Sequence, residues 1–104
     1  MPTEPRSYLA VFRVRGPAWD ESRPLRKQDG WPEHARFMDD LAASGFIVLG
    51  GPLGDAERTL LICDAGDEAA VRERLAGDPW THSGHLELAG CERWTILLDG
   101  SVDE

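Results

Sequence analysis

The 104-residue chain reads as one α+β domain whose elements run strand, helix, strand, strand, helix, strand. Three observations predict this. Residues 7–15 alternate with strand periodicity, residues 32–44 carry a helix's stripe and end signals, and three short runs further on are apolar without interruption. The length suits one hydrophobic core and is too small for two. With 41% hydrophobic and 29% charged residues, the composition is that of an ordinary globular chain.

In SYLAVFRVR, Tyr8, Ala10, Phe12 and Val14 alternate with Leu9, Val11, Arg13 and Arg15, which gives the first strand. Residues 16–31 hold two prolines, two glycines and mixed charge, a loop long enough to be functional or mobile. PEHARFMDDLAAS (32–44) is the first helix, with Pro32 at the first helical position, Glu33 at the positive end of the dipole and Gly45 after the C-cap. Its stripe is Phe37, Met38, Leu41 and Ala42, and His34 falls on the same face.

FIVLGG (46–51) and TLLIC (59–63) are apolar strands joined by turn residues. The second helix runs from about Asp67, an N-cap residue, to Leu75, with Ala70, Val71 and Leu75 inward and Gly77 closing it. Pro79 forbids helical geometry at Asp78, and ERWTILLD (92–99) is the last strand. Residues 1–6 and 99–104 are expected to be flexible ends around a domain of residues 7–98.

This order is the ferredoxin-like βαββαβ arrangement, a four-stranded antiparallel sheet with both helices on one face. A sheet with one wet face should alternate apolar and polar residues. Ile47-Val48-Leu49, Leu60-Leu61-Ile62 and Ile96-Leu97-Leu98 are instead apolar on both faces, so a homodimer joined through the sheet face is expected. The first strand would lie between the third and fourth, which places Cys63 and Cys91 too far apart to bridge. Both are expected to be reduced packing residues.

Several function classes are excluded. Net charge is −8, with 19 acids against 11 bases, and such a surface repels nucleic acid. No apolar run approaches the roughly 20 residues that span a bilayer, and MPTEPRS has no apolar core of a signal peptide, so a cytoplasmic location away from membranes is expected. GxGxxG, P-loop, GxSxG and CxxC motifs are absent.

The residues left to carry chemistry are few. His34, in the first turn of a helix, meets the positive end of the dipole, which disfavours imidazolium. It reads either as a general base or ligand donor at a cleft, or as a core-edge histidine bonded to a backbone carbonyl. Asp78 follows a helix C-terminus, where the dipole mildly favours the protonated acid; its other reading is an Asx turn before Pro79. Crossover helices pack side by side and roughly antiparallel, which brings His34 and Asp78 together as a proton-transfer pair. Trp19, Trp31 and Trp80 either wall a pocket for a flat ligand or anchor the loop, and Gly50-Gly51-Pro52 either admits a ligand close to the backbone or shapes a turn. Asp78, His82 and His85 tempt a metal reading, but Pro79 and Gly84 argue against a helix there, and no further ligand lies near. No metal and no cofactor are expected, and His82 and His85 read as exposed loop residues.

WPEHARFMDDLAASG, FIVLGGPLGD, DEAAVRERLAGDPW and ERWTILL together resemble the YCII-related (YciI-like) family over residues 7–98. The resemblance implies a dimeric α+β barrel of ferredoxin-like protomers and an active site of a His and an Asp, here His34 and Asp78. One branch of the family is similar to a dehydrochlorinase of chlorinated hydroxyquinols, and the wider superfamily includes muconolactone isomerases and cofactor-free monooxygenases. Compact members carry an Arg three residues before the His, a place held here by Trp31. The expectation is a cofactor-independent proton transfer, elimination or isomerisation on a small cyclic or aromatic metabolite. His34 and Asp78 would be catalytic, and Trp31, Gly51, Pro52 and Trp80 would bind the substrate. The alternative is a non-catalytic dimeric module that binds a small ligand.

Overall fold

The computed structural model describes residues 6–54 and 56–100. Its elements are β1 (Arg6–Arg15), α1 (Trp31–Ala43), β2 (Ile47–Pro52), β3 (Arg58–Cys63), α2 (Glu68–Leu75), α3 (Pro79–Ser83) and β4 (Leu86–Ile96), with a 3₁₀ turn at Leu25–Lys27. The strands form one antiparallel sheet in the order β2-β3-β1-β4. This is the α+β, ferredoxin-like arrangement, with β1 between β3 and β4. The outermost termini, residues 1–5 and 101–104, lie outside the described residues. Arg6 opens β1 and pairs with Asp99.

Alternation in β1 decides which face is covered. Leu9 and Val11 are buried and join Leu61 and Cys63 of the neighbouring strand, Leu41 of α1, and Val71 and Leu75 of α2 in a single core. Both long helices therefore sit on the same side of the sheet. On the other side Tyr8, Ala10 and Phe12 are only half-buried, Leu49 is 68% exposed and Trp94 is 45% exposed. Trp94 lies opposite Tyr8 on this uncovered face, outside the core.

The helix ends follow from their sequences. Gly45 closes α1 with a left-handed φ of 87°, and the Asp67 carboxylate caps α2 by accepting from the amide of Ala70 at 2.9 Å. Gly77 does not close α2, as the sequence reading had it. Ala76 is the C-cap, and Gly77 keeps an ordinary φ. Its missing side chain serves packing, because a Cβ there would stand 3.3 Å from the Phe37 ring.

The largest departure is α3. Asp78 is extended, at ψ 125°, as Pro79 requires. Pro79 and Gly84 do not exclude a helix between them: Pro79 starts a short one, since the first helical position needs no N–H. Gly84, at φ 84°, ends it and turns the chain so that β4 begins at Leu86, six residues before the expected Glu92. Gly16 lies against this turn, its amide donating to the His85 carbonyl at 2.8 Å.

Both cysteines are free, Cys63 buried and Cys91 half-buried. They lie on either side of β1, opposite Leu9 and Val11 respectively. Burial, with Cys91 beside it, pushes the Cys63 thiol up to about 11. Since the thiolate is the nucleophile, Cys63 is expected to resist iodoacetamide at pH 8 in the native protein while Cys91 reacts first. Mass spectrometry of the alkylated chain, native against urea-unfolded, checks this. Among the described residues no helix is long and apolar enough to cross a membrane.

Candidate active site

His34 and Asp78, 44 positions apart, meet through hydrogen bonds: His34 Nδ1 lies 2.9 Å from Asp78 Oδ1 and 3.0 Å from Oδ2. The route differs from the expected one. Asp78 is the N-cap of α3, not the tail of a helix, and its Oδ1 accepts from the Trp80 amide at 2.9 Å. The first turn of α1 thus faces the first turn of α3, and the carboxylate stands at the positive end of a short helix.

A third residue completes the group. Arg13, 2% exposed on the covered face of β1, donates from Nη1 to Asp78 Oδ2 at 2.8 Å and from Nη2 to Thr81 Oγ1 at 2.8 Å. The Thr81 hydroxyl donates in turn to the Leu75 carbonyl at 2.8 Å, tying α3 to the end of α2. Burial pushes the Asp78 carboxyl up. Hydrogen bonds from His34, the Trp80 amide and Arg13 outweigh burial and hold it below the ordinary carboxylate value. The expectation of a favoured protonated form is therefore reversed.

An ionised carboxylate only accepts, so Nδ1 of His34 carries the hydrogen and Nε2 carries the lone pair when the ring is neutral. Nε2 has no hydrogen-bond partner among the described residues, and His34 lines a cavity of about 740 Å³. Asp78 is wholly buried and does not line that cavity. Its place is behind the imidazole, where it orients the ring; it is not poised to donate a proton to a ligand.

Trp31, Gly51, Pro52 and Trp80 all line the same cavity, as does Trp19. The Trp80 ring stacks on His34 with centroids 3.9 Å apart and planes 10° from parallel, which fixes the plane of the imidazole. Trp31 lies 5.8 Å from His34 and 5.9 Å from Trp80, and Trp19 packs edge-on to Trp80 at 5.7 Å. The tryptophans thus both wall the cavity and anchor the loop, because Trp80 Nε1 donates to the Asp29 carbonyl at 2.8 Å. Gln28, buried within the loop, ties it together by donating to the carbonyls of Asp20 and Arg23 and accepting from the amide of Asp20.

The other two histidines part company. His82 is exposed, as expected. His85 is buried, stacked on Trp80 at 5.2 Å with Nδ1 2.6 Å from Ser83 Oγ, which corrects its reading as a solvent-exposed residue. Among the described residues no group of three or more His, Cys, Asp or Glu side chains is arranged to hold a metal ion.

The ferredoxin-like antiparallel sheet and its helices thus hold a buried carboxylate–imidazole pair beside an apolar cavity. The YCII-related domain matches residues 18–95, three quarters of the chain, and the chain belongs to that family. No curated protein and no solved structure gives a significant match.

Proposed function

We propose that this protein is a cofactor-independent enzyme that moves a proton, in an elimination or isomerisation, on a small cyclic or aromatic metabolite. One observation carries the reading: His34 lines a cavity of ligand size while its Nδ1 is held by a buried, ionised carboxylate. His34 Nε2 takes a proton from a substrate carbon. The C–H electron pair becomes a C=C bond as a leaving group departs with its own pair, or as a neighbouring double bond shifts. Asp78 stabilises the imidazolium formed, and the proton passes on to the leaving group or to a second carbon. Trp31, Trp80, Gly51 and Pro52 form the walls against which the ring lies.

A metabolite screen by thermal shift tests this, because a ligand of the native state raises the melting temperature. Compounds that stabilise the wild type are followed for deuterium uptake or leaving-group release in D₂O, against His34→Ala and Asp78→Ala. Binding without turnover for every such compound sinks the enzymatic reading in favour of a ligand-binding module.

The active form in this reading is a cytoplasmic homodimer joined through the uncovered sheet face, where Tyr8, Phe12, Leu60 and Trp94 would meet their counterparts. Light scattering should return twice the 11.5 kDa chain mass. A stable monomer at micromolar concentration sinks the interface.

A further inference from the structure

Arg15 is one of the charged groups of the cavity wall, with Arg23, Asp39 and Glu57, to which proton transfer gives no task. It ends β1 two residues beyond Arg13, and the two cations contrast. Arg13 is fully engaged by Asp78 and Thr81. Arg15 lies over Trp19, its guanidinium carbon 4.7 Å from the ring centroid, and its ion-pair partner is Glu21, a side chain 73% exposed at 3.0 Å from Nη1. Such a pair is screened by solvent and weak. The Nε–H of Arg15 is buried, and it alone among the buried side-chain nitrogen and oxygen atoms described has no hydrogen-bond partner. A buried donor of a charged group left unpaired is unfavourable, so the chain itself leaves this guanidinium incompletely satisfied.

The surroundings specify the acceptor this guanidinium suits. Its two Nη groups form a planar fork that matches the two oxygens of a carboxylate, at the end of the side chain that Glu21 holds through Nη1. Trp19, Trp31 and Trp80 offer a wall of flat aromatic surface, and Ile47 and Leu61 supply an aliphatic wall of the same cavity. Asp39 and Glu57 also line the cavity, and both are exposed. With a net charge of −8 the chain repels anions at a distance, so recognition has to come from direct contact with Arg15.

We infer that the cavity takes a planar aromatic or cyclic carboxylate whose carboxylate is bound by Arg15 in place of Glu21, with the ring against the tryptophans. This rests on the proposal that the His34 cavity is the ligand site, and it adds the charge of the ligand. Arg15 is a binding residue, remote from the proton-transfer step.

Calorimetric titration of the full chain with benzoate and with benzamide, its uncharged analogue of the same shape, tests the inference. The wild type is expected to bind benzoate about tenfold more tightly, and Arg15→Gln to lose about that factor for benzoate while binding benzamide unchanged. Arg15→Lys should recover only part of the benzoate affinity, because an ammonium lacks the fork. Equal affinities in the wild type overturn the inference alone. So does unchanged benzoate binding by Arg15→Gln. Binding of neither compound overturns it together with the cavity's role as a ligand site. A carboxylate preference that persists while no bound compound turns over supports the inference and counts against the enzymatic reading.

Discussion

Asp78→Ala is expected to destabilise the fold by about 3–5 kcal/mol, because removing one partner of a buried ion pair strands the other charge. The stranded group is the Arg13 guanidinium, 2% exposed and left with Thr81 alone. The Trp80 amide loses its cap and His34 Nδ1 its acceptor in the same step. For a domain of about 100 residues such a loss lowers the melting temperature by more than roughly 10 °C. Asp78→Asn should not restore it, since an amide NH₂ would then face a donor of either Arg13 or His34. The double variant Arg13→Met/Asp78→Asn should cost less than the sum of its single changes, because no charge is stranded. Calorimetric melts of the wild type, Asp78→Ala, Asp78→Asn, Arg13→Met and the double variant decide this; a drop of only a degree or two in Asp78→Ala would show that the pair contributes nothing.

The same carboxylate sets a pH dependence of known sign. Its folded pKa lies below the ordinary value of 3.8, so ionised Asp78 stabilises the native state at every pH above the unfolded value. That contribution fades as pH falls below about 4 and through the lower folded pKa. The stability gap between wild type and Asp78→Asn is therefore expected to narrow as pH falls below about 4. A gap that keeps its full size or widens below about pH 4 would contradict the ionised state of the carboxylate.

Much of this arrangement was legible from spacing alone, because the forces that set it are local. Alternation in residues 7–15, the caps at Asp67 and Gly45 and the strand order all follow from short-range geometry. What was missed required partners distant in sequence. Arg13 shares the register of Leu9 and Val11, the face that meets the helices, and a cation there demands a buried acid. That demand was the available signal, and Asp78 answers it across 65 residues of chain. Pro79 and Gly84 were read as arguing against a helix after Asp78, because both residues break helices from inside. An N-cap aspartate followed by proline begins one instead, and this single inversion moves Asp78 from the negative to the positive end of a helix. His85 was misread for the same reason. Once α3 exists, the left-handed turn at Gly84 swings His85 under Trp80, away from solvent.

His34→Gln is expected to lower the proposed proton-transfer rate by about 10²–10⁴-fold, the usual contribution of a positioned general base. Its effect on stability should be small beside that of Asp78→Ala. The glutamine amide still offers an N–H toward Asp78, so Arg13 keeps its counter-charge and the carboxylate keeps a donor. What is lost is the basic lone pair of Nε2 and the stacking of imidazole on Trp80 at 3.9 Å. The two variants therefore separate roles that the structure joins in one hydrogen bond: Asp78→Ala should lose both fold and rate, His34→Gln mainly rate. Deuterium uptake at saturating substrate measures the rate, and adding imidazole to His34→Ala should restore part of it through the space vacated beside Trp31 and Trp80. A His34→Gln protein that turns over within a few-fold of the wild type would move the base elsewhere in the cavity, and Asp39 and Glu57, the exposed carboxylates of its lining, would be the next groups to replace.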